Sequence, residues 1–99
     1  MAMSYEIRTK KQVDKFLVKL AKSAPNEFDK IDFFLKNRLP NCDNPCLLSN
    51  ATHLQGYNDN RYRWRIGDYR IIGIVNNGEF KIIEIIKIAK RDNRTYKDL

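Results

Sequence analysis

The sequence has little of the residue types that build metal sites, disulfide frameworks or membrane spans. Its 99 residues include one histidine, His53, and two cysteines, Cys42 and Cys46, with no second ligand pair nearby. We therefore expect free thiols, no metal and no cofactor. The longest apolar run, Ile71 to Val75, is far shorter than the roughly 20 residues that a membrane-spanning helix needs. The beginning of the chain also lacks an apolar signal region, so a cytoplasmic protein without a membrane partner is predicted by default.

The sequence also has fewer acidic than basic residues. It contains 12 aspartates and glutamates and 19 lysines and arginines, which gives a net charge of +7. Such an excess favours an anionic partner: nucleic acid, anionic lipid or an acidic protein. The chain has no repeat or low-complexity segment, and its length predicts one soluble domain over residues 1–99 with a single core.

Four arginines lie within residues 61–72, where arginine alternates with large apolar residues. Alternation of this kind predicts a β-strand, and the Gly67-Asp68 pair predicts a two-residue hairpin turn. Arg65 then lies opposite Arg70, and Trp64 lies opposite Ile71. Four arginines share one side of the hairpin, which we call the arginine face: Arg61, Arg63, Arg65 and Arg70. The other side points toward the predicted core and carries Tyr62, Trp64, Ile66, Tyr69 and Ile71.

A row of like charges destabilises a hairpin unless something compensates it. The alternation supplies no acidic partner across the strand, so the negative charge is expected from a ligand. Phosphate fits the forked guanidinium group best. The alternative is a solvated polar face with no ligand.

The first half of the chain predicts a strand followed by two helices. Residues 5–8 alternate as an edge strand, and Thr9 with Gln12 forms a capping-box pattern for the first helix. Pro25 suits the start of the second helix, and Pro40 is predicted to end it. The apolar stripes of the two helices belong to the core: Val13, Phe16, Leu17 and Leu20 in the first, and Phe28, Ile31, Phe34, Leu35 and Leu39 in the second.

The second half predicts an antiparallel meander. A loop over residues 41–50 leads to a strand at 51–56. The strand that carries Arg61, Arg63 and Arg65, which we call the arginine strand, comes next, and a central strand at 69–75 follows it. Asn77-Gly78 predicts a second two-residue turn, followed by a strand over residues 80–88. In that register Arg70 faces Ile85, and Lys87 falls on the arginine face near the first turn. The predicted fold is α+β: an N-terminal strand, an antiparallel two-helix hairpin, and a meander of three or four strands with the helices on one face.

Several short motifs, in this order and spacing, resemble the RelE/ParE superfamily of toxins from bacterial toxin-antitoxin pairs, and RelE in particular. They are Leu54-Gln55-Gly56, the stretch from Tyr62 to Ile71, the stretch from Ile85 to Arg91, and Tyr96. The order of predicted elements matches that family as well.

The resemblance implies a metal-independent ribonuclease that enters the ribosomal A site and cuts messenger RNA. The ribose 2′-hydroxyl is the nucleophile in such toxins, and an acidic antitoxin holds them inactive in a hetero-oligomer. Two other functions are consistent with the same sequence features. One is a ParE-like gyrase poison, and the other is a nucleic-acid-binding domain without chemistry.

The resemblance matches site positions of the family to Arg63, Arg65, Arg70, Arg91 and Tyr96, and the arginine face, the basic tail, the lone histidine and the need for a base add the other candidates. The catalytic set is Arg65, Arg70, Arg91 and Tyr96, with Lys87 and Lys90 as further candidates. The RNA-binding set is Arg61, Arg63, Arg94 and His53. Arg63 and Arg65 stand where typical RelE toxins have lysines. Because arginine is a poor general base, Lys87, Lys90 and Tyr96 remain open for that role.

Each assignment has a structural alternative. Arg70 could pair with Asp68 or Glu84, and Arg91 and Arg94 could simply solvate a strand end. Tyr96 could anchor the end of the chain by packing its ring on the sheet. Trp64 is predicted to be core rather than a base-stacking platform, and His53 could be structural.

Overall fold

The computed structural model describes residues 5–76 and 81–90, which form five strands and a helical layer. The strands are β1 (Glu6–Thr9), β2 (Ala51–His53), β3 (Arg61–Ile66), β4 (Tyr69–Asn76) and β5 (Ile82–Lys90). The helical segments are α1 (Lys11–Ser23), α2 (Pro25–Phe33), a π-helical turn (Phe34–Arg38), a short α3 (Leu39–Asn41) and a 3-10 turn (Pro45–Leu47).

The strands form a single sheet in the order β1-β5-β4-β3-β2. β1 pairs in parallel with β5, and the other three pairings are antiparallel. The N-terminal strand is thus an edge strand, as predicted. The helix hairpin and the meander confirm the predicted α+β fold.

The helices cover the side of the sheet opposite the arginine face. Both predicted apolar stripes join the strands in one core, where Val13, Ile31 and Leu39 are at most 1% exposed. Trp64 is fully buried in the same core, and its indole Nε1 donates a hydrogen bond to the Pro45 carbonyl at 2.9 Å. A buried indole with its donor satisfied belongs to the core, which confirms that prediction for Trp64.

The capping-box prediction for α1 is wrong. Thr9 still belongs to β1, where it pairs with Ile85, so Lys10 becomes the N-cap and offers no side-chain cap. The Thr9 hydroxyl donates to Asp14 at 2.6 Å instead, and the Gln12 amide reaches across to the Ile86 carbonyl at 2.8 Å.

The prediction that Pro40 ends the second helix is also wrong, because helical backbone continues to Asn41. Proline lacks the N–H that would bond four residues back and its ring crowds that carbonyl. The chain adapts by widening into the π-helical turn, in which the Leu39 N–H donates to the carbonyl of Phe34, five residues back.

The first predicted turn is confirmed in detail. Gly67 has φ of 57° while Asp68 does not have a positive φ, the pattern of a type II′ turn. Arg65 lies opposite Arg70, and Trp64 lies opposite Ile71.

The predicted register between β4 and β5 is wrong. Arg70 pairs with Ala89 rather than Ile85, and Asn76 pairs with Ile82. The predicted Asn77-Gly78 turn lies outside the described residues. Ile86 forms a β-bulge between the Ile72–Lys87 and Gly73–Ile85 pairs.

Both cysteines are free, as predicted. Both are half-buried, and burial raises the pKa of the Cys42 thiol. None of the described helices is long and apolar enough to cross a membrane.

Of the three glycines that the structure describes, Gly73 is the one at which an added Cβ would meet contacts shorter than ordinary van der Waals distance. A Cβ there would lie 3.0 Å from Cζ3 of Trp64 and 3.1 Å from both the Glu84 carbonyl oxygen and Cδ1 of Ile85. We expect Gly73→Ala to lower the free energy of unfolding by about 1–3 kcal/mol through overpacking. Denaturant unfolding followed by far-ultraviolet circular dichroism measures this, because the one tryptophan of the chain is Trp64 itself.

Gly56→Ala is the comparison variant, because Gly56 has φ of 91° but open space around its Cβ. The loss of stability caused by Gly56→Ala measures backbone strain alone, and we expect it to be on the order of 1 kcal/mol or more. If Trp64→Phe relieved none of the loss caused by Gly73→Ala in a double-mutant cycle, overpacking against the indole would not be the cause.

Candidate nucleic-acid interface

The sheet brings four cationic side chains around one apolar residue of the arginine face. Ile72, in the central strand β4, pairs with Arg63 on one side and Lys87 on the other. Arg65 and Arg70 face each other in the row nearest the Gly67 turn. Directly opposed residues of antiparallel strands share a face, so these cations form one cluster.

The bulge at Ile86 places Lys87 in this cluster. With strict alternation, Lys87 and Ile85 would point to the same side of the sheet. The extra residue reverses the alternation, so Ile85 enters the core while Lys87 joins the arginine face. Lys87 is on the predicted face, but opposite Ile72 rather than near the turn.

Arg70 is the buried member of the cluster, with only 5% of its surface exposed. It forms no ion pair with Asp68 or Glu84, so the structural alternative for this residue is not observed. Its Nη1 is buried and has no hydrogen-bond partner among residues 5–76 and 81–90. An uncompensated buried charge is costly, and an unsatisfied group of this kind calls for an explanation such as a missing ligand.

Arg65 is the exposed member, and its backbone is held on both sides by Asn50. The Arg65 N–H donates to the Asn50 carbonyl at 3.0 Å, and the Asn50 side-chain Nδ2 donates to the Arg65 carbonyl at 3.0 Å. Within the described part of the chain, the Arg65 guanidinium has neither a hydrogen bond nor an ion pair. Its position is therefore set by the backbone, and its charged end is available.

Arg63 is half-buried and leans toward the sheet edge. Its Nη2 donates to the hydroxyl of Thr52 on β2 at 2.8 Å. Thr52 is the direct cross-strand partner of Arg63, so this contact follows from the pairing of β2 with β3.

Arg61 departs from the prediction of an arginine row without acidic partners. Its Nε and Nη2 donate to the two carboxylate oxygens of Asp59 at 3.1 and 2.8 Å, and its guanidinium lies 4.1 Å from the Tyr57 ring centroid. Cross-strand alternation could not reveal this partner, because Asp59 precedes the same strand in a turn. Arg61 is thus already neutralised, whereas Arg65 and Arg70 have no acidic partner among the residues that the structure describes.

Two predicted site residues lie on the other face. His53 pairs with Tyr62, and their ring centroids are 5.0 Å apart on the helix side of the sheet. Lys90 pairs with Tyr69, whose ring packs against Phe16 of α1. The register therefore separates both residues from the arginine cluster.

Arg91, Arg94 and Tyr96 lie outside the described residues, and their assigned roles stay predictions. The structure adds residues that the motifs missed: Asn50 and Thr52, which hold Arg65 and Arg63, and Gln12, which binds the bulge. The pairing of β2 with β3 is the signal that connects Asn50 and Thr52 to the arginines, and it is visible only in the folded sheet.

No protein-family model matches the chain, and no curated protein matches it. Solved structures of toxin-antitoxin complexes, in contrast, do match this chain. A chain of the archaeal RelE-RelB complex from Pyrococcus horikoshii is 32% identical, with 92% of this chain and 99% of that chain covered and a TM-score of 0.61. A chain of the RelBE2 toxin-antitoxin complex from Mycobacterium tuberculosis is 19% identical, with 89% and 99% covered and a TM-score of 0.69.

The Mycobacterium structure shows a shared fold. The Pyrococcus structure adds enough sequence identity over nearly the whole of both chains to define the class of protein as a RelE-like toxin. This chain belongs to the RelE family, which confirms the resemblance found in its motifs.

The Arg61–Asp59 pair predicts a specific dependence of stability on pH. Hydrogen bonding to Arg61 lowers the pKa of the Asp59 carboxyl, so the ionised form favours the folded state. This stabilisation is present above the unfolded-state pKa of about 3.9 and is lost as the pH falls through the lower folded-state value. Relative to Asp59→Asn, the wild type should gain at most about 1 kcal/mol at neutral pH. This gain should begin to fall below about pH 4 and should vanish only once the pH is below the folded-state pKa of Asp59.

Denaturant unfolding across an acid pH series measures the difference. Asp43→Asn, in the exposed loop after α3, is the matched control and should not reproduce the profile. A difference between wild type and Asp59→Asn that stayed constant through the acid range would contradict the ion-pair explanation.

Proposed function

We propose that this chain is the toxin of a toxin-antitoxin pair and inhibits translation in the cytoplasm by cutting messenger RNA in the ribosomal A site. The observation that carries the proposal is Arg70, a buried arginine whose Nη1 has no partner among the described residues. It lies beside Arg65, whose guanidinium is exposed and also without a described partner. A phosphate bound between the two would supply the missing charge and the missing hydrogen-bond acceptors.

In the proposed reaction the ribose 2′-hydroxyl attacks the adjacent phosphorus. A five-coordinate phosphorane forms, the bond to the 5′-oxygen of the next nucleotide breaks, and a 2′,3′-cyclic phosphate remains. The reaction needs a base for the hydroxyl proton, an acid for the leaving oxygen, and cations around the phosphorane.

Arg70 and Arg65 suit the third requirement. Arginine stays protonated and presents its donors in a rigid fork. A donor set that is fixed in place before reaction and shielded from water stabilises developing charge more strongly than one in solvent. Burial of Arg70 and the backbone clamp on Arg65 favour such an arrangement.

The base must be another residue, since an arginine cannot supply that function. Of the two candidate lysines, Lys87 lies on the arginine face, whereas Lys90 lies on the face of the sheet that the helices cover. We therefore place Lys87 ahead of Lys90. The family resemblance adds Arg91 and Tyr96 to the catalytic set.

Replacing Arg70 separates the catalytic role from a structural one. We expect Arg70→Met to abolish codon-positioned cuts, with a loss on the order of 100- to 1,000-fold if Arg70 contacts the phosphorane. The same variant should unfold no more easily than wild type, because an apolar side chain removes an unsatisfied buried charge. Toeprinting on translating ribosomes and denaturant unfolding measure the two effects.

Arg61→Met is the matched control for stability and should destabilise the fold, because it leaves Asp59 unpaired. Strong destabilisation by Arg70→Met would instead indicate a structural arginine. If wild-type protein altered DNA supercoiling before protein synthesis fell, gyrase would be the target. If the protein bound RNA but made no cuts, it would be a nucleic-acid-binding domain without catalytic activity.

An acidic antitoxin is the proposed partner. The relative from Pyrococcus was solved as a complex with RelB, and an antitoxin for this chain has to cover a cationic face. Carboxylates placed on Arg65 would bind in the forked, bidentate geometry that a guanidinium provides. Apolar residues of the same segment would pack on the sheet or the helix hairpin.

Arg65→Lys tests this contact while keeping the net charge. We expect a faster dissociation rate from the cognate antitoxin, since an ammonium group cannot reproduce the fork. The association rate and its salt dependence should stay near wild type, because long-range steering depends on charge. Surface plasmon resonance at two ionic strengths measures both rates.

Arg38→Lys, at an exposed arginine of the helix hairpin, is the control. An unchanged dissociation rate for Arg65→Lys would show that the antitoxin does not pair with this residue.

A further inference from the structure

A polar cavity lies at the β2 edge of the arginine face. Its volume is about 320 Å³, and its lining residues are Ser49, Asn50, Thr52, Arg63 and Arg65. The side chains of these residues carry two guanidinium groups, two hydroxyls and an amide, and none of them carries a carboxylate. A concavity with this composition attracts an anion that also carries hydrogen-bonding groups.

The cavity wall is held in place by specific contacts. Asn50 makes two hydrogen bonds with the Arg65 backbone, one through its carbonyl and one through its side-chain Nδ2. Thr52 accepts a hydrogen bond from Arg63 Nη2, which leaves its own hydroxyl proton available for another acceptor. These contacts fix the arginine strand against β2.

Asn50 also provides an independent sign of a missing partner. Its Nδ2 must face the Arg65 carbonyl, because only the amide nitrogen can donate. Its Oδ1 is then buried without a hydrogen-bond partner, and it is the one side-chain acceptor in that condition within the described ranges. Buried acceptors are normally satisfied, so a donor from a ligand or water is expected nearby.

The size and the lining narrow the class of ligand. The volume is at the lower end of the roughly 300–1,000 Å³ that is typical of small-molecule sites, which suits one sugar-phosphate unit. No aromatic or aliphatic residue lines the cavity, so it offers neither a stacking platform for a base nor an apolar seat for a peptide side chain. Hydroxyl and amide groups suit a ribose, whose 2′-hydroxyl both donates and accepts.

We propose that this cavity is a backbone subsite for the RNA nucleotide next to the one cleaved at Arg70. In this subsite Arg65 and Arg63 bind the neighbouring phosphate, and Thr52, Ser49 and Asn50 bind its ribose. The subsite rests on the proposed function, because Arg65 borders both positions. It recognises RNA over DNA without reading the base sequence, and Asn50 acts as a positioning residue for Arg65.

The test is direct binding to the full-length protein, without ribosomes. Fluorescence anisotropy is measured with a short labelled single-stranded RNA and with DNA of the same base sequence, over a range of salt concentrations. The variants are Thr52→Val, Thr52→Ser and Ser49→Ala, with Arg65→Gln and Arg38→Gln as a charge pair. Thr52 is an exposed strand residue for which valine is a good β-former, so the fold should persist.

We expect wild-type protein to prefer RNA. Thr52→Val should weaken RNA binding about five-fold, the value of one hydrogen bond, with a smaller effect on DNA, and Ser49→Ala should act in the same direction. Thr52→Ser should restore the preference. Arg65→Gln should reduce the slope of log affinity against log salt by about 0.7, as expected for one lost phosphate contact on a single strand, whereas Arg38→Gln should not.

Two results would overturn the subsite. One is wild-type protein that binds DNA as tightly as RNA. The other is wild-type RNA preference in Thr52→Val combined with equal salt slopes for Arg65→Gln and Arg38→Gln. Codon-positioned cleavage on ribosomes, measured separately, distinguishes the two proposals. Cleavage without a Thr52-dependent preference rejects the subsite alone, and the preference without cleavage rejects only the ribonuclease.

Discussion

The rest of the arginine face depends on the two-residue turn at Gly67 and Asp68. Because side chains alternate along a strand, the register set by this turn decides the side on which every residue of β3 and β4 lies. It brings Arg65 opposite Arg70, and on the reverse side it brings Trp64 opposite Ile71. A shift by one residue would bury the arginines and expose the tryptophan. The apolar core thus enforces the register that the charged face could not maintain by itself.

The second determinant is the bulge at Ile86. It lets β5 contribute Ile85 and Ile83 to the core and still present Lys87 beside Ile72. The hydrogen bond from Gln12 to the Ile86 carbonyl ties this irregular point to α1. Bulges occur near functional sites because they redirect a side chain without breaking the sheet. Here the bulge allows one strand to serve both the core and the cationic cluster.

The arginines of one strand have different electrostatic environments. Arg61 is neutralised by Asp59, and Arg63 is tethered to Thr52. Arg65 is exposed, and across from it Arg70 is buried with one nitrogen that has no hydrogen-bond partner in the described part of the chain. The arginines thus range from a structural ion pair at the start of β3 to charges near the Gly67 turn that have no acidic partner within residues 5–76 and 81–90. At the turn end, none of the described residues provides an acceptor for Arg70 Nη1.

The sequence alone determined the α+β class, the helix stripes, the first hairpin and the division of its residues between two faces. These features follow from local periodicity and turn chemistry, and the same motifs pointed to the family. Only the tertiary structure decided the β4–β5 register, because one bulged residue reverses alternation without a local signal. It also revealed the partner of Arg61, the separation of His53 and Lys90 from the arginines, and the role of Asn50 and Thr52. Those depend on contacts between segments distant in sequence or on the path of a turn, which periodicity does not encode.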